Sequence, residues 1–383
     1  MPRLGSSHLV RASCVLLCAA ACTRSGAIHQ LPSNHAIDSA ATALMARDSV
    51  QGLALAVIDD GQVRHVAAHG WRNAAKRLPL DTATIMYGAS LTKATVGYLV
   101  MQLVDEGKLN LDASIATLLP RPLPEYDDYH DLAGDERWRA LTPRILLNHA
   151  TGFANFRWLE PDQKLRFHFA PGTRYAYSGE GFYILQLVLE EGLKLDLGAE
   201  AQRRLFDRFG MPRTSLQWRA DFADNLADGH AVDGTIEPHD ERSRVSAAGS
   251  MDTDIADQAR FWAAVVRGDG LTPASRAEFV RPQLAITSRQ QFPTLLEARG
   301  TWDSTVALSA GLGVVTFRDT SGPAWYKGGH NDWTGNQVIC LEAHRRCVVF
   351  LGNDVRAERI YPELAAFILG PTAMPWGWEY GTP

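Results

Sequence analysis

Lysine is scarce in this sequence: six of the 38 basic residues are lysines, and the rest are arginines. Acidic residues outnumber basic ones, the net charge is −5, and no basic run is present. A chain of this composition lacks the electrostatic footprint of a nucleic-acid-binding protein, so we predict no nucleic-acid partner. Long hydrophobic runs are also missing. No stretch reaches about 18 uncharged apolar residues, the length that a membrane-spanning helix needs.

Two catalytic signatures are absent as well. The sequence contains no G-x-S-x-G, which disfavours the nucleophile elbow of the α/β-hydrolases. It contains no H-E-x-x-H or comparable set of metal ligands, so metal-dependent hydrolysis is disfavoured. We therefore predict no metal and no cofactor.

Cysteine is rare, and three of the five cysteines lie within the first 22 residues. Arg3 and Arg11 precede an apolar run with small residues at 14–22. This pattern is typical of an export signal, and we predict that residues 1–21 are removed. The Ala-Ala-Ala-Cys sequence ending at Cys22 resembles a bacterial lipoprotein site, so the exported chain is expected in the periplasm or anchored to a membrane by lipid on Cys22. The alternative is a disordered apolar tail.

The rest of the chain has the composition of a soluble globular protein, with 46% hydrophobic and 21% charged residues. A helix is predicted from Ser33 to about Arg47. Strand-like runs flank the hairpin signal Asp60-Gly61, and a helix that is apolar on most faces covers 91–104. Further strands are predicted near 311–317, 324–328, 336–342 and 346–352, followed by a helix near 356–369.

Strands at both ends with helices between them indicate an α/β fold. We predict one catalytic module over 33–370. Its α/β part is formed by about 33–90 and 300–370, and a mostly helical part is inserted at about 91–299.

Cys340 and Cys347 lie in two β-rich runs joined by a short polar turn, which predicts a hairpin. A turn at Ala343 and His344 would bring the two cysteines opposite each other. They then form either a cross-strand disulfide in an oxidising compartment or a pair of reduced, buried small side chains.

The segment Tyr87-Gly88-Ala89-Ser90-Leu91-Thr92-Lys93 carries the strongest chemical signal. Ser90 would open the buried helix, with Lys93 one turn later on the same face. A serine hydroxyl becomes a good nucleophile when a nearby base takes its proton, and burial lowers the pKa of a lysine toward that role. About 0.3 S-x-x-K matches are expected by chance from 19 serines and six lysines in 383 residues, and one occurs. Taken alone, the motif also fits an N-cap serine beside a solvated lysine.

Two later segments favour the catalytic interpretation of the serine motif over the N-cap interpretation: Tyr177-Ser178-Gly179 and Lys327-Gly328-Gly329-His330. Together with the serine motif, in this order, they resemble the three-part signature of the penicillin-recognising serine hydrolases. The similarity is to the class C β-lactamase-like branch, and it runs from about residue 35 to 370. It implies a β-lactamase/transpeptidase-like fold, with an antiparallel sheet flanked by helices.

The resemblance implies a role for each matched position. Ser90 would be the acylated nucleophile, Lys93 its hydrogen-bonded partner and Tyr177 a second proton shuttle. Lys327 would hold an anionic group of the substrate, and the backbone N–H groups of Ser90 and His330 would form the oxyanion hole. Two ammonium groups near one phenol are expected to bring the pKa of Tyr177 below about 10. Because the groups titrate together, either Lys93 or Tyr177 can be the base.

Three glycines of these motifs bear on the substrate. Gly328 and Gly329 suit a strand that the substrate approaches closely. Gly179 stands where related β-lactamases usually have an asparagine that binds the acylamino group, and Gly328 replaces the threonine of Lys-Thr-Gly. Both departures should weaken recognition of a β-lactam or peptide more than acylation itself, which favours an esterase or amidase.

Other polar and aromatic residues near the motifs have weaker functional claims. His149 and Glu180 are expected to be structural, and the His330 imidazole either lines the site or plays no part. Core packing is the default for the aromatic residues Trp325, Tyr326 and Trp333.

We therefore predict an exported serine hydrolase that acts on a small-molecule ester, amide or β-lactam. One alternative is a class C-type β-lactamase or D-alanyl-D-alanine peptidase. A second alternative is a penicillin or peptidoglycan sensor that is acylated but barely turns over.

Overall fold

In the computed structural model, residues 1–2, 29–296 and 305–381 are described. The chain divides into the units Met1–Gln30 and Leu31–Pro383. Apart from its first two residues, the predicted signal peptide lies outside the described residues, and so does Cys22.

The strands of the described residues have the following bounds in chain order: β1 Gly52–Asp59, β2 Gln62–Asn73, β3 Leu78–Pro79, β4 Met86–Tyr87, β5 Gly229–His230, β6 Ile236–Glu237, β7 Asp252–Thr253, β8 Leu284–Ala285, β9 Ser309–Ala310, β10 Val315–Asp319, β11 Gly322–Asn331, β12 Thr334–Leu341 and β13 Arg346–Gly352.

The α-helices of the described residues are α1 Asn34–Asp48, α2 Leu91–Asp105, α3 Ile115–Leu118, α4 Pro143–Leu147, α5 Gly179–Leu187, α6 Leu197–Ala201, α7 Ile255–Arg267, α8 Pro273–Phe279, α9 Tyr361–Leu369 and α10 Trp376–Glu379. Helices α5 and α6 continue as π-helical turns at Val188–Gly192 and Gln202–Phe206. Shorter 3-10 turns lie at Leu123–Glu125, Asp127–Leu132, Glu136–Ala140, Arg157–Leu159, Ala220–Asn225, Ala343–Arg345 and Val355–Arg359.

The main sheet is built from both ends of the catalytic module. Its strand order is β3-β2-β1-β13-β12-β11-β10-β9-β8, and each neighbouring pair is antiparallel. The N-terminal hairpin joins the C-terminal strands where β1 pairs with β13, for example Leu53 opposite Gly352. The predicted α/β class, with an antiparallel sheet from both termini flanked by helices, is confirmed.

Helices cover both faces of this sheet. On β1, the side chains of Ala54, Ala56 and Ile58 belong to the core that includes α2 and α7. The alternate side chains, including Leu53 and Leu55, belong to a second core with α1 and α9. Because both faces are buried, β1 is apolar at almost every position, without the alternation of a half-exposed strand.

Helix α2 lies in the first core and carries buried side chains on all its faces. Its bounds confirm the helix predicted over 91–104. An all-round apolar helix has no solvent-facing stripe, which is why the sequence lacks the usual amphipathic pattern here. The polar side chains that α2 carries before its last residue are therefore held away from water, where burial is costly without a partner: Thr92, Lys93, Thr95 and Gln102.

The hairpin of β12 and β13 places Cys340 directly opposite Cys347. The two residues are joined by a disulfide, which decides between the two alternatives that the sequence leaves open.

Packing continues past residue 370. Met374 and Trp378 are buried in the core that contains α1 and α9, and the Trp378 indole donates to Ser288 Oγ at 3.2 Å. Helix α10 is thereby held against the sheet. Among the described residues, no helix combines the length and apolarity that crossing a membrane requires.

Candidate active site

Ser90 stands at a sharp turn before α2. The preceding Ala89 has φ 46°, a left-handed conformation that costs a non-glycine residue about 1 kcal/mol or more. The turn is held on both sides. The Gly88 N–H donates to the Met251 carbonyl at 2.8 Å, and the Asn336 amide of β12 donates to the Tyr87 carbonyl at 2.9 Å. These contacts bring Ser90 to the mouth of the cleft as the N-cap of α2, the position predicted from the sequence.

Lys93 lies one turn further along α2, and its side chain is almost fully buried, with 1% exposure. Its Nζ donates to Ser90 Oγ at 3.0 Å and also contacts the carbonyl oxygen of Ala248. Burial, together with the positive charge of Lys327, holds the pKa of Lys93 well below its usual value. Lys93 is thus not a solvated lysine beside a helix cap, and its amine is favoured in the neutral form.

Tyr177 reaches the same point from the loop before α5. Its hydroxyl accepts a hydrogen bond from Lys327 Nζ at 3.2 Å and is hydrogen-bonded to Ser90. The ring stacks on His149, with centroids 4.3 Å apart. The His149 Nδ1 in turn accepts the N–H of Ser178 at 3.1 Å. The histidine therefore orients the loop and the tyrosine, in line with its predicted structural role.

The expected low pKa of Tyr177 is wrong. Burial raises the pKa of Tyr177 above its usual value, and the hydrogen bond with Ser90 offsets only part of this effect. The expectation assumed two charged lysines beside the phenol. Since Lys93 is buried and its pKa is lowered, much of that positive charge is absent, and desolvation of the phenolate dominates.

Lys327 extends from β11 into the cluster and is also buried. Burial lowers the pKa of Lys327 to about 8, although the negative charge of Glu379 opposes the shift. Two residues further along β11, a Cβ on Gly329 would lie 2.9 Å from the backbone nitrogens of both Ser90 and Leu91. Glycine is therefore required at 329 because the strand passes against the first residues of the helix.

A cavity of about 420 Å³ opens over Ser90 and is lined by Gly329 and His330, among others. The close approach of β11 to the start of α2 is compatible with the predicted oxyanion pair, the N–H groups of Ser90 and His330. The His330 imidazole also lines the cavity, and its Nδ1 lies 3.1 Å from Glu358 Oε1. Burial lowers the pKa of His330, but the hydrogen bond and charge of Glu358 raise it above the usual value.

Gly179, at the start of α5, leaves room for an aromatic ring. A Cβ at this position would lie 2.2 Å from Phe156 Cε1. Phe156 stacks on Trp158 with centroids 4.1 Å apart, and both rings line the cavity. The neighbouring Asn155 also lines it, and its Oδ1 accepts the Gly179 N–H at 2.9 Å. The space of the missing side chain is thus filled by an aromatic wall.

An acidic side chain occupies the space that a side chain at position 328 would take. A Cβ on Gly328 would lie 2.1 Å from Glu379 Oε1, and Glu379 lines the same cavity. The sequence predicts that Gly328 lets the substrate approach this strand closely. The structure instead places the carboxylate of α10 there.

The residues for which the sequence gives only weak evidence of a functional role are mostly structural. Glu180 is fully buried and forms an ion pair with Arg157 at 2.7 Å. Trp325 and Tyr326 are buried in the two cores. Trp333 packs on Gly229, where a Cβ would lie 2.2 Å from its Cδ1, and the tryptophan lines a second, smaller cavity. None of the three aromatic residues lines the cavity over Ser90.

Several cavity residues were not predicted from the sequence: Asn155, Phe156, Trp158, Tyr183, Arg242, Arg244, Gln291, Phe292 and Glu379. Tyr183 belongs to α5, and the others belong to loops, short turns or the C-terminal segment, where no motif identifies them. The aromatic-rich run Trp376-Gly377-Trp378-Glu379-Tyr380 was the one available signal, because several large rings close together indicate a packed segment. Within the described residues, no group of three His, Cys, Asp or Glu side chains could hold a metal ion.

The family profile described as Beta-lactamase matches residues 37–370. Penicillin-binding protein 4 of Amycolatopsis lactamdurans is 28% identical over 359 residues, covering 86% of this chain and 88% of that protein. D-aminopeptidase of Gluconobacter oxydans is 25% identical over 189 residues, covering 47% and 35%. The probable fimbrial assembly protein FimD, serogroup H1, of Dichelobacter nodosus is 26% identical over 239 residues, covering 56% of this chain and 57% of that protein. This chain therefore matches little more than half the length of that relative.

Solved structures agree on the fold. The β-lactamase/D-alanine carboxypeptidase of Pseudomonas syringae has a TM-score of 0.69 at 19% identity, covering 89% of this chain and all of that one. The profile match, which spans most of the chain, confirms the resemblance found in the motifs. The protein belongs to the Beta-lactamase family, whose members are typically serine hydrolases.

Proposed function

We propose that this protein hydrolyses an ester or amide through an acyl-enzyme on Ser90. The observation that carries the proposal is the 3.0 Å contact between Lys93 Nζ and the Ser90 hydroxyl in a buried setting. The lowered pKa of Lys93 supports a neutral amine that takes the serine proton, whereas the raised pKa of Tyr177 argues against a phenolate base.

Acylation then follows from the contacts in the cluster. Ser90 Oγ bonds to the carbonyl carbon of the substrate as its proton moves to Lys93 Nζ, and the carbonyl oxygen becomes an oxyanion. The N–H groups of Ser90 and His330 would stabilise that charge. When the bond to the leaving group breaks, the Tyr177 hydroxyl protonates the leaving atom, and the proton held by Lys93 restores the phenol by way of this hydrogen-bonded cluster.

Deacylation repeats these steps with water. A water molecule gives a proton to the neutral Lys93 as its oxygen bonds to the acyl carbon, and the Ser90 oxygen leaves when the bond to that carbon breaks and Lys93 returns the proton to it. Lys327 would keep the Tyr177 hydroxyl oriented through their 3.2 Å hydrogen bond and supply positive charge beside it. No cofactor enters any of these steps.

The cavity supports an apolar acyl group. Phe156, Trp158, Tyr183 and Phe292 all line it, and aromatic walls bind apolar groups by area and ring packing. The absence of a side chain amide at Gly179 and of a hydroxyl at Gly328 removes two polar contacts that a β-lactam or peptide would use. An esterase or amidase is therefore the activity that this site favours.

Covalent labelling tests the nucleophile. A fluorophosphonate probe should label the protein at Ser90, and the label should vanish in Ser90→Ala. Ser243→Ala removes a hydroxyl from an exposed position and serves as the matched control, which should still be labelled. Labelling that survives Ser90→Ala would overturn the proposal.

A substrate panel tests the activity itself. Short p-nitrophenyl esters, D-amino amides and the cephalosporin nitrocefin should be compared by kcat/KM, and we expect the esters to be hydrolysed fastest. Nitrocefin hydrolysis at a comparable rate would instead favour a class C-type β-lactamase. A stable adduct on Ser90 with negligible turnover, detected by intact mass, would identify a sensor.

A peptidase acting on D-amino-acid substrates is the second candidate. It is supported by relatives named D-aminopeptidase, one of which is 31% identical over 190 residues, 47% of this chain. Faster hydrolysis of D-amino amides than of esters in the same panel would favour this activity.

We also propose that the protein is exported. The basic, apolar and small-residue pattern of residues 1–21 supports a signal peptide, and the disulfide between Cys340 and Cys347 fits an oxidising compartment. Intact mass of the mature protein from its host should show loss of residues 1–21, with or without a lipid on Cys22. An unprocessed N-terminus would contradict export by this route.

A further inference from the structure

Glu379 is the buried acid of the cavity over Ser90. Its side chain belongs to α10 and is 3% exposed, yet it lines the cavity together with Ser90, Gly328 and Gly329. Its Oε2 makes no hydrogen bond within the described residues. A buried carboxylate oxygen without a partner is costly, while the Glu379 side chain as a whole lies at the wall of the cavity.

The carboxylate occupies the space of a missing side chain. Because a Cβ on Gly328 would lie 2.1 Å from Glu379 Oε1, the two positions exclude each other. The position of the Glu379 carboxylate on α10 therefore depends on the glycine at the middle position of Lys-Gly-Gly. Where a hydroxyl would stand beside Lys327, this chain has a carboxylate.

This exchange changes the charge that a substrate meets. The negative charge of Glu379 opposes the fall in the pKa of Lys327, so the two charges interact. Burial raises the pKa of Glu379, and the charges of Lys327 and His330 act in the opposite direction. When both groups are ionised, the negative charge of Glu379 offsets the positive charge of Lys327. A substrate carboxylate attracted by the lysine is repelled by the glutamate, whereas an uncharged polar group avoids that repulsion.

The leaving group is the part of the substrate that lies beside these two charges. In the proposed mechanism the leaving atom takes its proton from Tyr177, and the Tyr177 hydroxyl accepts a hydrogen bond from Lys327. Glu379 lines the cavity whereas Lys327 does not, so the leaving group meets the glutamate at the wall and the lysine acts on it only through its charge.

We propose that Glu379 is a specificity-determining residue that selects uncharged leaving groups over leaving groups that carry a carboxylate. The inference rests on the proposed hydrolysis at Ser90 and names the substrate class of that site. It predicts poor activity on substrates that present a free carboxylate next to the scissile bond, such as the C-terminal residue of a peptide.

Matched esters test the selection directly. Butyryl esters of 4-hydroxybenzamide and 4-hydroxybenzoic acid share one acyl group and differ in the charge of the leaving group. The measured quantity is the ratio of kcat/KM for the anionic ester to that for the neutral ester. In Glu379→Gln this ratio should rise at least about 10-fold relative to the wild type, because the repulsion is removed and Lys327 remains. Glu363→Gln, which removes an exposed carboxylate of α9, is the control and should leave the ratio unchanged.

The outcomes separate the two proposals. If hydrolysis of both esters depends on Ser90 but the ratio does not change in Glu379→Gln, the selection by Glu379 is overturned and the hydrolase proposal stands. If hydrolysis persists in Ser90→Ala, the proposed function is overturned, and the role of Glu379 that rests on it falls as well.

A stability measurement tests the geometry without any activity. Gly328→Thr should lower Tm because its side chain collides with the Glu379 carboxylate. The double variant Gly328→Thr/Glu379→Ala should recover most of the lost stability, since the alanine leaves room for the threonine. An equal loss of Tm by Gly328→Thr in the presence and absence of the carboxylate would show that the two side chains do not compete for one space.

Discussion

Two regions surround the same nucleophile and are built in different ways. The reaction cluster is formed by Ser90, Lys93, Tyr177 and Lys327, which hydrogen bonds join across α2, the loop before α5 and β11. The two lysines and the tyrosine are buried, and Ser90 is half-buried at the cavity. The recognition walls are two contacts, Phe156 over Gly179 and Glu379 over Gly328. In each contact, a side chain from one segment fills the space above a glycine of another segment.

The difference shows where each region is free to change. A buried cluster of polar groups loses much if one partner is removed, because the others stay desolvated without it. A wall above a glycine can be replaced by a different side chain without breaking the cluster behind it. The side chains that the motifs predict therefore come together in this chain, while the shape and charge of the cavity differ from what its motifs alone suggest.

The largest effect is expected from the reaction cluster. Lys93→Ala should lower kcat/KM by at least about 100-fold, because the base next to Ser90 is lost. Tyr177→Phe should cause a loss of similar size while keeping the ring that stacks on His149. Steady-state kinetics on a p-nitrophenyl ester measures both variants.

The control for this prediction is Lys108→Ala, which removes an exposed lysine that follows α2 and forms an ion pair with Glu106. It should retain wild-type kinetics. If Lys93→Ala lowers kcat/KM by less than about 10-fold, the reaction cluster tolerates substitution as the recognition walls do. That result would contradict the contrast between the two regions.

A smaller effect is expected at the aromatic wall. Gly179→Ala places a Cβ against the Phe156 ring, which is held by stacking on Trp158, and should destabilise the protein by about 1–2 kcal/mol. In a Phe156→Ala background the same substitution should cost little. Urea unfolding of the four proteins in this cycle gives the coupling between the two positions.

Gly198→Ala serves as the control for the wall. At this position in α6 a Cβ would meet a Val245 methyl carbon at 3.1 Å and an Asp196 oxygen at 3.4 Å, and we expect little change in stability. If Gly179→Ala is equally mild, Phe156 yields easily and the wall does not limit the cavity.

The smallest expected effect is a shift in pH dependence that links the two regions. Lys327 is charged below its pKa of about 8, so kcat/KM should fall as the pH rises through that value. It should also fall at acid pH, where Lys93 takes up a proton and no longer acts as a base. Because Glu379 raises the pKa of Lys327, Glu379→Gln should move the alkaline limb to lower pH by about half a unit.

Lys327→Arg provides the complementary test, since arginine keeps its charge far above pH 8. Its rate should be lower, but the alkaline limb should no longer appear near pH 8. If the alkaline limb stays unchanged in both variants, it belongs to a group other than Lys327. The pH profile would then show no influence of Glu379 on the reaction cluster.

Local pattern predicted much of the fold. The Asp60-Gly61 turn, the helix from Leu91 and the hairpin that carries Cys340 and Cys347 all depend on neighbours in sequence, and all three occur. A domain built from both termini was predicted because its strands lie near the two ends, and the antiparallel arrangement of its sheet was implied by the family resemblance. The state of the two cysteines was left open, since spacing alone allows a disulfide without requiring one.

The site was predictable only where a motif marks it. Ser90, Lys93, Tyr177 and Lys327 lie within such motifs, and the structure brings them together. Phe156 and Glu379 have no motif, and each faces a glycine that is 23 or 51 residues away along the chain. The pKa of Tyr177 was misjudged for a related reason, because burial outweighs charges that can be counted from sequence.

By itself, the sequence determined the elements, the family and the order of the reacting groups, because these depend on periodicity and on short motifs. Only the tertiary structure decided which groups are charged and what fills the space above Gly179 and Gly328. Desolvation depends on all the atoms that surround a side chain, and a packing contact depends on two segments meeting in space. For this protein, the motifs carry the proposal about the reaction, and the side chains that fold over them carry the proposal about the substrate.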